Sequence, residues 1–282
     1  MSSVQILDFS ELVRAAEGVR ESVIAVGVFD GVHLGHRNFL AHLIERAHQE
    51  KAGSAVVTFW PHPRNVLHPE SPVASVTSLD ERVKALQACG LNDIVVLRFD
   101  EELAKLSAGD FVSALKDSLN MRGLVVGHDF ALGRGREGTP AVLKDIGRRL
   151  GFWVEETPAV ALGRTVISST AIRDAVGSGD VVSARGYLGR PFSIDVGQVD
   201  VTQGVAVDFH VPPPQLLPES GTYHTKAWIG DEPYASRTEV DRTKRSFRVE
   251  LPRIATFLWS HLRIQFLDRV DESRPVYTFG VA

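Results

Sequence analysis

The sequence predicts an α/β protein in which a doubly wound parallel sheet is followed by a small antiparallel β-barrel. Up to about residue 187, short apolar runs alternate with segments of helical periodicity, the pattern of a parallel sheet covered by helices. From residue 188 onward the helical period is replaced by an alternation of period two. Because 282 residues exceed a comfortable single core, we predict two domains, 1–187 and 188–282.

The composition is ordinary for a globular protein and favours small-molecule partners. Apolar residues make up 44% and charged residues 23%, and a formal net charge of −4 leaves no global basic surface for nucleic acid. No run approaches the roughly 18 apolar residues of a membrane span, and no secretory signal pattern follows Met1. The single cysteine excludes an intramolecular disulfide. We expect a cytoplasmic enzyme with neither nucleic-acid nor membrane partners; the sequence leaves its oligomeric state open.

The first strong strand is the nearly continuous apolar run from Val23 to Phe29, which suits a central parallel strand covered on both faces. An amphipathic helix is predicted next, from Leu34 to Glu50. Strands and helices then alternate along the chain, with strands at Ser54–Phe59, Ile94–Phe99, Leu124–Val126 and Phe152–Glu155 and helices near 78–89, 107–119 and 139–150.

Two histidines lie where the central strand gives way to the helix. Gly31 and Gly35 bracket His33 and His36, so the backbone can pass close to a ligand and the first N–H groups of the helix can point at an anion. Imidazoles three residues apart are neighbours on a first helical turn and can donate to a phosphate whose charge grows during reaction. This pattern favours nucleotidyl transfer.

The histidine pair also has simpler interpretations, as two solvated side chains or as half of a metal site. A metal site needs further ligands, and no compact Cys/His cluster lies nearby in the sequence. The strand, glycine turn, histidine pair and amphipathic helix occur together, which favours the phosphate interpretation. Metal ligands stay unassigned.

Three further polar segments lie next to predicted elements. They are Pro61-His62-Pro63 after the second strong strand, His128-Asp129-Phe130 after the fourth, and Ser168-Ser169-Thr170 before a helix. Ligands of open α/β sheets bind beyond the carboxyl ends of the strands, so we expect these segments to converge. The last segment is first of all a helix N-terminus whose hydroxyls satisfy free N–H groups. Arg173, one turn later, has a planar fork suited to phosphates.

A glycine-rich stretch from Gly133 to Gly138 superficially suggests a phosphate-binding loop. It lacks the Gly-Lys-Ser/Thr ending and lies far from the first strand, so by itself it predicts a flexible basic loop. It is not included among the site residues.

The motif GVFDGVHLGH from Gly27 resembles the signature of the bifunctional riboflavin kinase/FMN adenylyltransferase family, the prokaryotic FAD synthetases. Later segments resemble that family in the same order: TFWPHPRNVL from Thr58, LRFDEELAKLSAGDFV from Leu97, VVGHDFALGRGREG from Val125 and ISSTAIRDAV from Ile167. The resemblance implies a Rossmann-like nucleotidyltransferase domain that transfers AMP from ATP to FMN, with Mg²⁺, giving FAD and pyrophosphate.

The resemblance also implies roles for individual residues. From the residues alone, Asp30 could cap a turn and Asp129 could orient a loop; the resemblance favours the site for both. His62 could serve the flavin side or only end a strand. The resemblance implies catalytic roles for His33, His36 and Arg173, ATP binding by Gly27, Phe29, Asp30, Gly35, Ser168, Ser169 and Thr170, and flavin binding by His62, Pro63, Asp129 and Phe130.

The C-terminal region shows alternating segments, DVGQVDV, YHTKAWI, SFRVEL and LRIQFLD, which predict a small antiparallel barrel. LGRPFSI from Leu188 and LPESGTY from Leu217 resemble the family's junction and kinase module, which implies a six-stranded Greek-key barrel. The family's Gly-Phe-Pro-Thr-Ala-Asn motif is replaced by GVAVDFH from Gly204, and Phe247 stands where the resemblance places a catalytic glutamate. Glu250 is out of phase with that position. We therefore expect that riboflavin kinase activity is lost.

Three functions are compatible with these observations. The leading hypothesis is that the protein is an FMN adenylyltransferase. Nucleotidyl transfer to another phosphorylated small molecule uses the same histidines, and a non-catalytic flavin- or nucleotide-binding regulator would explain the altered second module.

Overall fold

The computed structural model describes the backbone of residues 5–14, 20–201, 206–251 and 257–270 and, except for 198–201, 206 and 257–260, their side chains. The chain divides into two compact units, Met1–Ser169 and Thr170–Ala282. The domain boundary expected between residues 187 and 188 stays a prediction.

The first unit is built on a six-stranded sheet whose neighbouring strands pair in parallel. Its strands are β1 (Ile6–Leu7), β2 (Ser22–Val26), β3 (Gly53–Trp60), β4 (Asp93–Arg98), β5 (Met121–Gly127) and β6 (Trp153–Thr157). The helices are α1 (Phe9–Arg14), α2 (Leu34–Gln49), α3 (Pro63–Leu67), α4 (Leu79–Gln87), α5 (Glu101–Lys105), α6 (Ala108–Ser118) and α7 (Pro140–Leu150). A short hairpin, β7 (Ala161–Leu162) and β8 (Thr165–Val166), precedes α8 (Ser169–Gly177).

The order of the sheet is β1-β4-β3-β2-β5-β6. Strand β2 pairs with β3 on one side and with β5 on the other, so the chain reverses its winding direction at β2. All five residues of β2 are buried. Val23 and Ala25 belong to the apolar core on one face, and Ile24 and Val26 to the core on the other. Burial on both faces explains the continuous apolar run and confirms the doubly wound parallel sheet.

The structure shortens the predicted central strand and adds elements. Strand β2 ends at Val26 rather than Phe29, because Phe29 has a φ of 51°, a left-handed conformation that cannot continue a strand. Helices α3 and α5, of five residues each, were not predicted. A single turn is too short to show a helical period.

The second unit contains a six-stranded sheet with antiparallel pairings. The strands of this sheet are β9 (Phe192–Val201), β10 (Ala206–His210), β11 (Gly221–Ile229), β12 (Glu232–Asp241), β13 (Ser246–Glu250) and β14 (Phe257–Arg269). Helix α9 (Val181–Leu188) precedes them. The order is β10-β13-β12-β11-β14-β9. Strands β11 to β13 are consecutive neighbours and β10 lies beside β13, which is a Greek-key order. The predicted antiparallel second fold is confirmed.

Alternate residues of the second sheet form its interior. Tyr223, Phe247 and Phe266 are among its largest fully buried side chains.

In the described part of the chain, the helices are too short or too polar to cross a membrane.

Candidate active site

A cavity of about 290 Å³ lies at the carboxyl end of β2, where the winding of the sheet reverses. This is the position at which open α/β sheets bind ligands. The cavity is lined from three directions, by the start of α2 and the turn before it, by the segment after β5, and by residues 157–160 and 166–169. The predicted residues that line it are Gly27, Phe29, His33, Gly35, His36, Asp129, Phe130, Ser168 and Ser169.

The turn between β2 and α2 has an unusual backbone. Phe29, Gly31 and Val32 have φ values of 51°, 83° and 38°. Glycine adopts positive φ freely, whereas a phenylalanine or a β-branched valine does so only where surrounding structure imposes it. Phe29 and Val32 are 5% and 0% exposed, so their packing holds the turn in this shape. The turn fixes the direction in which the next residues enter the helix.

His33 caps the helix that carries His36. It has the extended backbone of an N-cap residue, and its Nδ1 accepts the backbone N–H of His36 at 3.1 Å. A ring nitrogen that accepts a hydrogen bond carries no proton, so the proton of the neutral imidazole lies on Nε2. The cap therefore leaves His33 with an Nε2–H donor.

The two imidazoles form one stacked unit. Their ring centroids are 3.6 Å apart with an interplanar angle of 14°. The rings of Phe29 and His36 form a T-shaped pair with centroids 5.2 Å apart. Gly35 makes room for this arrangement, since a Cβ there would lie 3.1 Å from Nδ1 of His33 and 3.3 Å from the Ile167 carbonyl oxygen. The Nδ1 atom of His36 is buried and has no hydrogen-bond partner within the described parts of the chain.

The environment keeps His36 uncharged at neutral pH. Burial of the ring, and then the neighbouring His33 and Arg82, lower the pKa of His36 well below its ordinary value near 6.5. A buried neutral imidazole with an unpaired ring nitrogen is suited to an incoming anionic ligand, which supplies the missing partner.

Asp30 does not line the cavity. Its carboxylate accepts hydrogen bonds from the backbone N–H of Val76 at 2.9 Å, from that of Thr77 at 3.2 Å and from the Thr77 hydroxyl at 3.3 Å. Its carbonyl oxygen accepts the Ser169 hydroxyl at 2.9 Å. Asp30 thus ties the turn to residues 76–77 and to Ser169 at the start of α8, and the role in ATP binding that the resemblance implies stays a prediction.

The structure brings only part of the remaining predicted site together. Ser168 and Ser169 line the cavity at the start of α8. Thr170 and Arg173 lie further along α8, in the second compact unit, and their phosphate-binding roles stay predictions.

Of the four residues predicted to bind flavin, two line the cavity and two do not. Asp129 and Phe130 line the cavity, and Arg136 donates to the Asp129 carbonyl oxygen at 3.2 Å. His62 caps α3 by accepting the backbone N–H of Arg64 at 3.1 Å, and Pro63 is the first residue of that helix; neither lines the cavity.

Arg82 is a residue of this region that the sequence motifs missed. Its side chain is fully buried, and its Nη1 donates to the carbonyl oxygens of Val28 and Phe59, both at 3.1 Å. Arg82 shares the buried face of α4 with Val83 and Leu86. An arginine in the apolar stripe of a helix was the available signal, because so long a charged side chain is almost never fully buried unless it is paired.

Within the described residues, no group of three or more His, Cys, Asp or Glu side chains could hold a metal ion. A wider, open groove of about 590 Å³ runs along β6 and shares His128, Thr157 and Pro158 with the cavity. It contains none of the residues to which the sequence analysis assigned a catalytic or binding role, so the cavity at β2 is the candidate site.

Comparison with known proteins gives consistent results. The bifunctional riboflavin kinase/FMN adenylyltransferase of Escherichia coli strain K12 is 32% identical over 256 residues, covering 86% of this chain and 82% of that protein. The protein of the same name from Pseudomonas fluorescens is 38% identical over 189 residues, which cover 65% of this chain and 60% of that protein. The crystal structure of a macrolide-efflux protein from Streptococcus pneumoniae matches with a TM-score of 0.81, covering 98% of this chain and 94% of that one; at 22% identity it shows the fold alone.

The family model of FAD synthetase matches residues 16–171, which include the whole turn with its two histidines and the start of α8. This match extends over more than half of the chain, and the relative from E. coli is similar along most of its own length. The chain belongs to the FAD synthetase family.

Proposed function

We propose that this protein is an FMN adenylyltransferase, which transfers AMP from ATP to FMN and releases pyrophosphate. The observation that carries the proposal is the stacked His33–His36 pair at the N-terminus of α2, lining a cavity at the carboxyl end of the central strand. Family membership supports the choice of reaction.

The chemistry requires positioning and charge stabilisation more than a strong base. A phosphate oxygen of FMN is already ionised at neutral pH; it attacks the α-phosphorus of ATP, and the bond to the pyrophosphate oxygen breaks. Nε2–H of His33, the ring of His36 and the free N–H groups at the start of α2 would donate to the phosphate as its charge grows. The cavity would hold the two phosphates close together.

ATP would enter as its Mg²⁺ complex. Mg²⁺ keeps several waters and is usually bound through one or two carboxylates together with substrate phosphates. Asp129 supplies a carboxylate among the predicted residues that line the cavity.

The proposal is tested by the variant His36→Ala. It should keep the fold and lose about 10²–10³-fold in FAD formation, the typical effect of removing one donor that stabilises transition-state charge. His48→Ala, an exposed histidine on the same helix, is the matched control and should keep wild-type turnover. Near-normal FAD formation by purified, folded His36→Ala would remove His36 from the mechanism.

Two other functions are separated by a panel of acceptors. Purified protein is incubated with Mg²⁺-ATP and FMN or other phosphorylated small molecules, and pyrophosphate is followed. Pyrophosphate with another acceptor but not with FMN would favour a different nucleotidyltransferase. FMN binding without pyrophosphate from any acceptor would favour a regulator.

We further propose that the second unit has lost riboflavin kinase activity. Placed without gaps on the family's Gly-Phe-Pro-Thr-Ala-Asn motif, this chain has Val207 and Phe209 at the Thr and Asn positions. Gly204 and Val205 lie outside the described residues. Phe209 faces Phe247 in the β10–β13 register with ring centroids 5.4 Å apart, whereas Glu250 is exposed. A phenylalanine pair occupies positions where a kinase needs polar groups, which supports the loss.

The proposed reaction consumes ATP, which favours a cytoplasmic location. The substrates are small molecules, and the net charge of −4 gives no reason to add nucleic acid as a partner.

A further inference from the structure

A buried charged cluster lies behind the turn that carries the two histidines. Asp30 and Arg82 are 1% and 0% exposed, and Nη2 of Arg82 lies 3.8 Å from Oδ1 of Asp30. Thr77, 4% exposed, connects them to the backbone: its hydroxyl donates to Asp30 and accepts the N–H of Gly31 at 3.2 Å. These three residues are called the Asp30–Thr77–Arg82 cluster.

Arg82 joins the turn after β2 to the end of β3. The Val28 carbonyl belongs to the turn after β2, which continues to His33 and His36. The Phe59 carbonyl belongs to the end of β3, which continues to the loop with His62. The guanidinium also lies 5.5 Å from the centroid of the Trp60 ring. One side chain therefore fixes the spacing between the end of β3 and the start of the histidine turn.

The cost of burying these groups argues that the cluster has a defined geometry. A buried charge costs several kcal/mol unless it is paired and hydrogen-bonded, and removing one partner leaves the other uncompensated. Here the carboxylate accepts three hydrogen bonds from residues 76 and 77, and Nη1 of Arg82 is shared by two carbonyls. Such a network stabilises one arrangement of the turn over others.

We propose that the Asp30–Thr77–Arg82 cluster, with Arg82 as its central member, positions the histidine turn relative to the end of β3 for nucleotidyl transfer. This inference rests on the function proposed above. Arg82 does not line the cavity and acts through the backbone of the turn, so it is a positioning residue. Substrate affinity at the mouth of the cavity should depend on it less than turnover does.

The cluster also has an electrostatic effect on the site. The positive charge of Arg82 contributes, after burial and His33, to lowering the pKa of His36. His128 and Asp129 line the same cavity from the segment after β5, and the carboxylate of Asp30 lies beside Arg82. Removing the Arg82 charge should therefore raise the pKa of His36.

The test compares Arg82→Met, Arg82→Lys and a control. In Arg82→Met, kcat for FAD formation should fall about 10²-fold, the size of loss that a misplacement of about 1 Å produces, while KM for FMN and ATP changes little. Arg82→Lys keeps the charge and the N–H donors, so it should recover most of kcat. Arg122→Met removes an exposed arginine paired with Glu21 at the start of β5 and should match the wild type.

A second readout does not depend on catalysis. The pKa of His36 is measured by proton NMR titration of the imidazole, and it should rise in Arg82→Met and stay near the wild-type value in Arg82→Lys. A folded Arg82→Met with kcat within twofold of the wild type and an unshifted His36 would overturn the proposal. If Arg82→Met does not fold, Thr77→Val loosens the same cluster without removing a charge, and wild-type kcat in that variant would overturn it.

The two proposals can fail separately. If the wild-type protein releases no pyrophosphate with any acceptor, the proposed function is wrong, while the His36 titration still shows whether Arg82 acts on the turn. If the wild type makes FAD and the cluster variants do so equally well, the function stands and the positioning role is wrong.

Discussion

His36 links the stability of the first unit to pH. Burial lowers the pKa of His36 in the folded protein below its unfolded value near 6.5, so as pH falls the unfolded chain binds this proton first. The contribution is absent above pH 6.5 and becomes destabilising below it, by at most about 1.4 kcal/mol per pH unit until the folded pKa is reached. Urea unfolding at pH 7.5, 6.5 and 5.5 should show a steeper acid loss for the wild type than for His36→Gln.

The control for this experiment lies on the same helix. His48→Gln removes an exposed histidine near the end of α2 and should leave the acid loss of stability in place. Equal pH dependence in the wild type and His36→Gln would mean that the imidazole is solvated in the folded protein.

At the scale of single residues, the sequence indicated which side chains to consider but not their conformations. The histidine pair could be recognised because its spacing and its flanking glycines are local features of the sequence. The left-handed conformations of Phe29 and Val32 were not, because packing rather than residue type imposes them. The orientation of Asp30 and the burial of Arg82 depend on residues 23 to 54 positions away, which no local pattern records.

At the scale of elements, helix α2 gives a matched pair of glycine substitutions. Gly35 and Gly109 are each the second residue of a helix, α2 and α6. A Cβ at position 35 would press on the His33 ring, whereas one at position 109 would meet only the Ser107 hydroxyl at 3.7 Å. Gly35→Ala should reduce FAD formation by disturbing the stacked imidazoles. Gly109→Ala should keep activity and gain up to about 1 kcal/mol from helix propensity.

Turnover assays and thermal unfolding of both glycine variants decide this prediction. Gly35→Ala with full activity would show that the imidazole stack tolerates displacement. Loss of activity in Gly109→Ala as well would point to a general effect of stiffening helix starts.

Elements with a strong period were predicted, and those without one were missed. The five longer strands of the parallel sheet and helices α2, α4, α6 and α7 were found from apolar runs and helical stripes. Strand β12 was missed because its first half has no buried residue and its sequence, EPYASRTEVD, lacks a clear apolar alternation. Pairing with β11 and β13 makes it a strand, and such pairing is not a local property of the sequence.

At the scale of the whole molecule, the two units should differ in activity. With riboflavin and Mg²⁺-ATP the protein should form no FMN, while supplied FMN is converted to FAD. The kinase reaction needs the metal and γ-phosphate held in line with the flavin hydroxyl, and Phe209 and Phe247 cannot provide that electrostatic stabilisation. Chromatography of the flavin products makes the measurement.

A restored glutamate is the control for that experiment. Phe247→Glu should not recover the kinase, because the Thr and Asn positions remain apolar and because a carboxylate would be forced into a site only 2% exposed. FMN formed by the wild type at a rate comparable to FAD synthesis would refute the loss of kinase activity.

The strand order has a consequence for how the protein is made. One edge of strand β2 pairs with β3, which is the next strand in the chain. Its other edge pairs with β5, which follows about a hundred residues later. During synthesis on the ribosome, strand β2, which is buried along its whole length in the folded protein, therefore keeps an open hydrogen-bonding edge until Met121–Gly127 has emerged. Chains that stop before that point would present this edge to one another, so truncated products ending before residue 121 should aggregate.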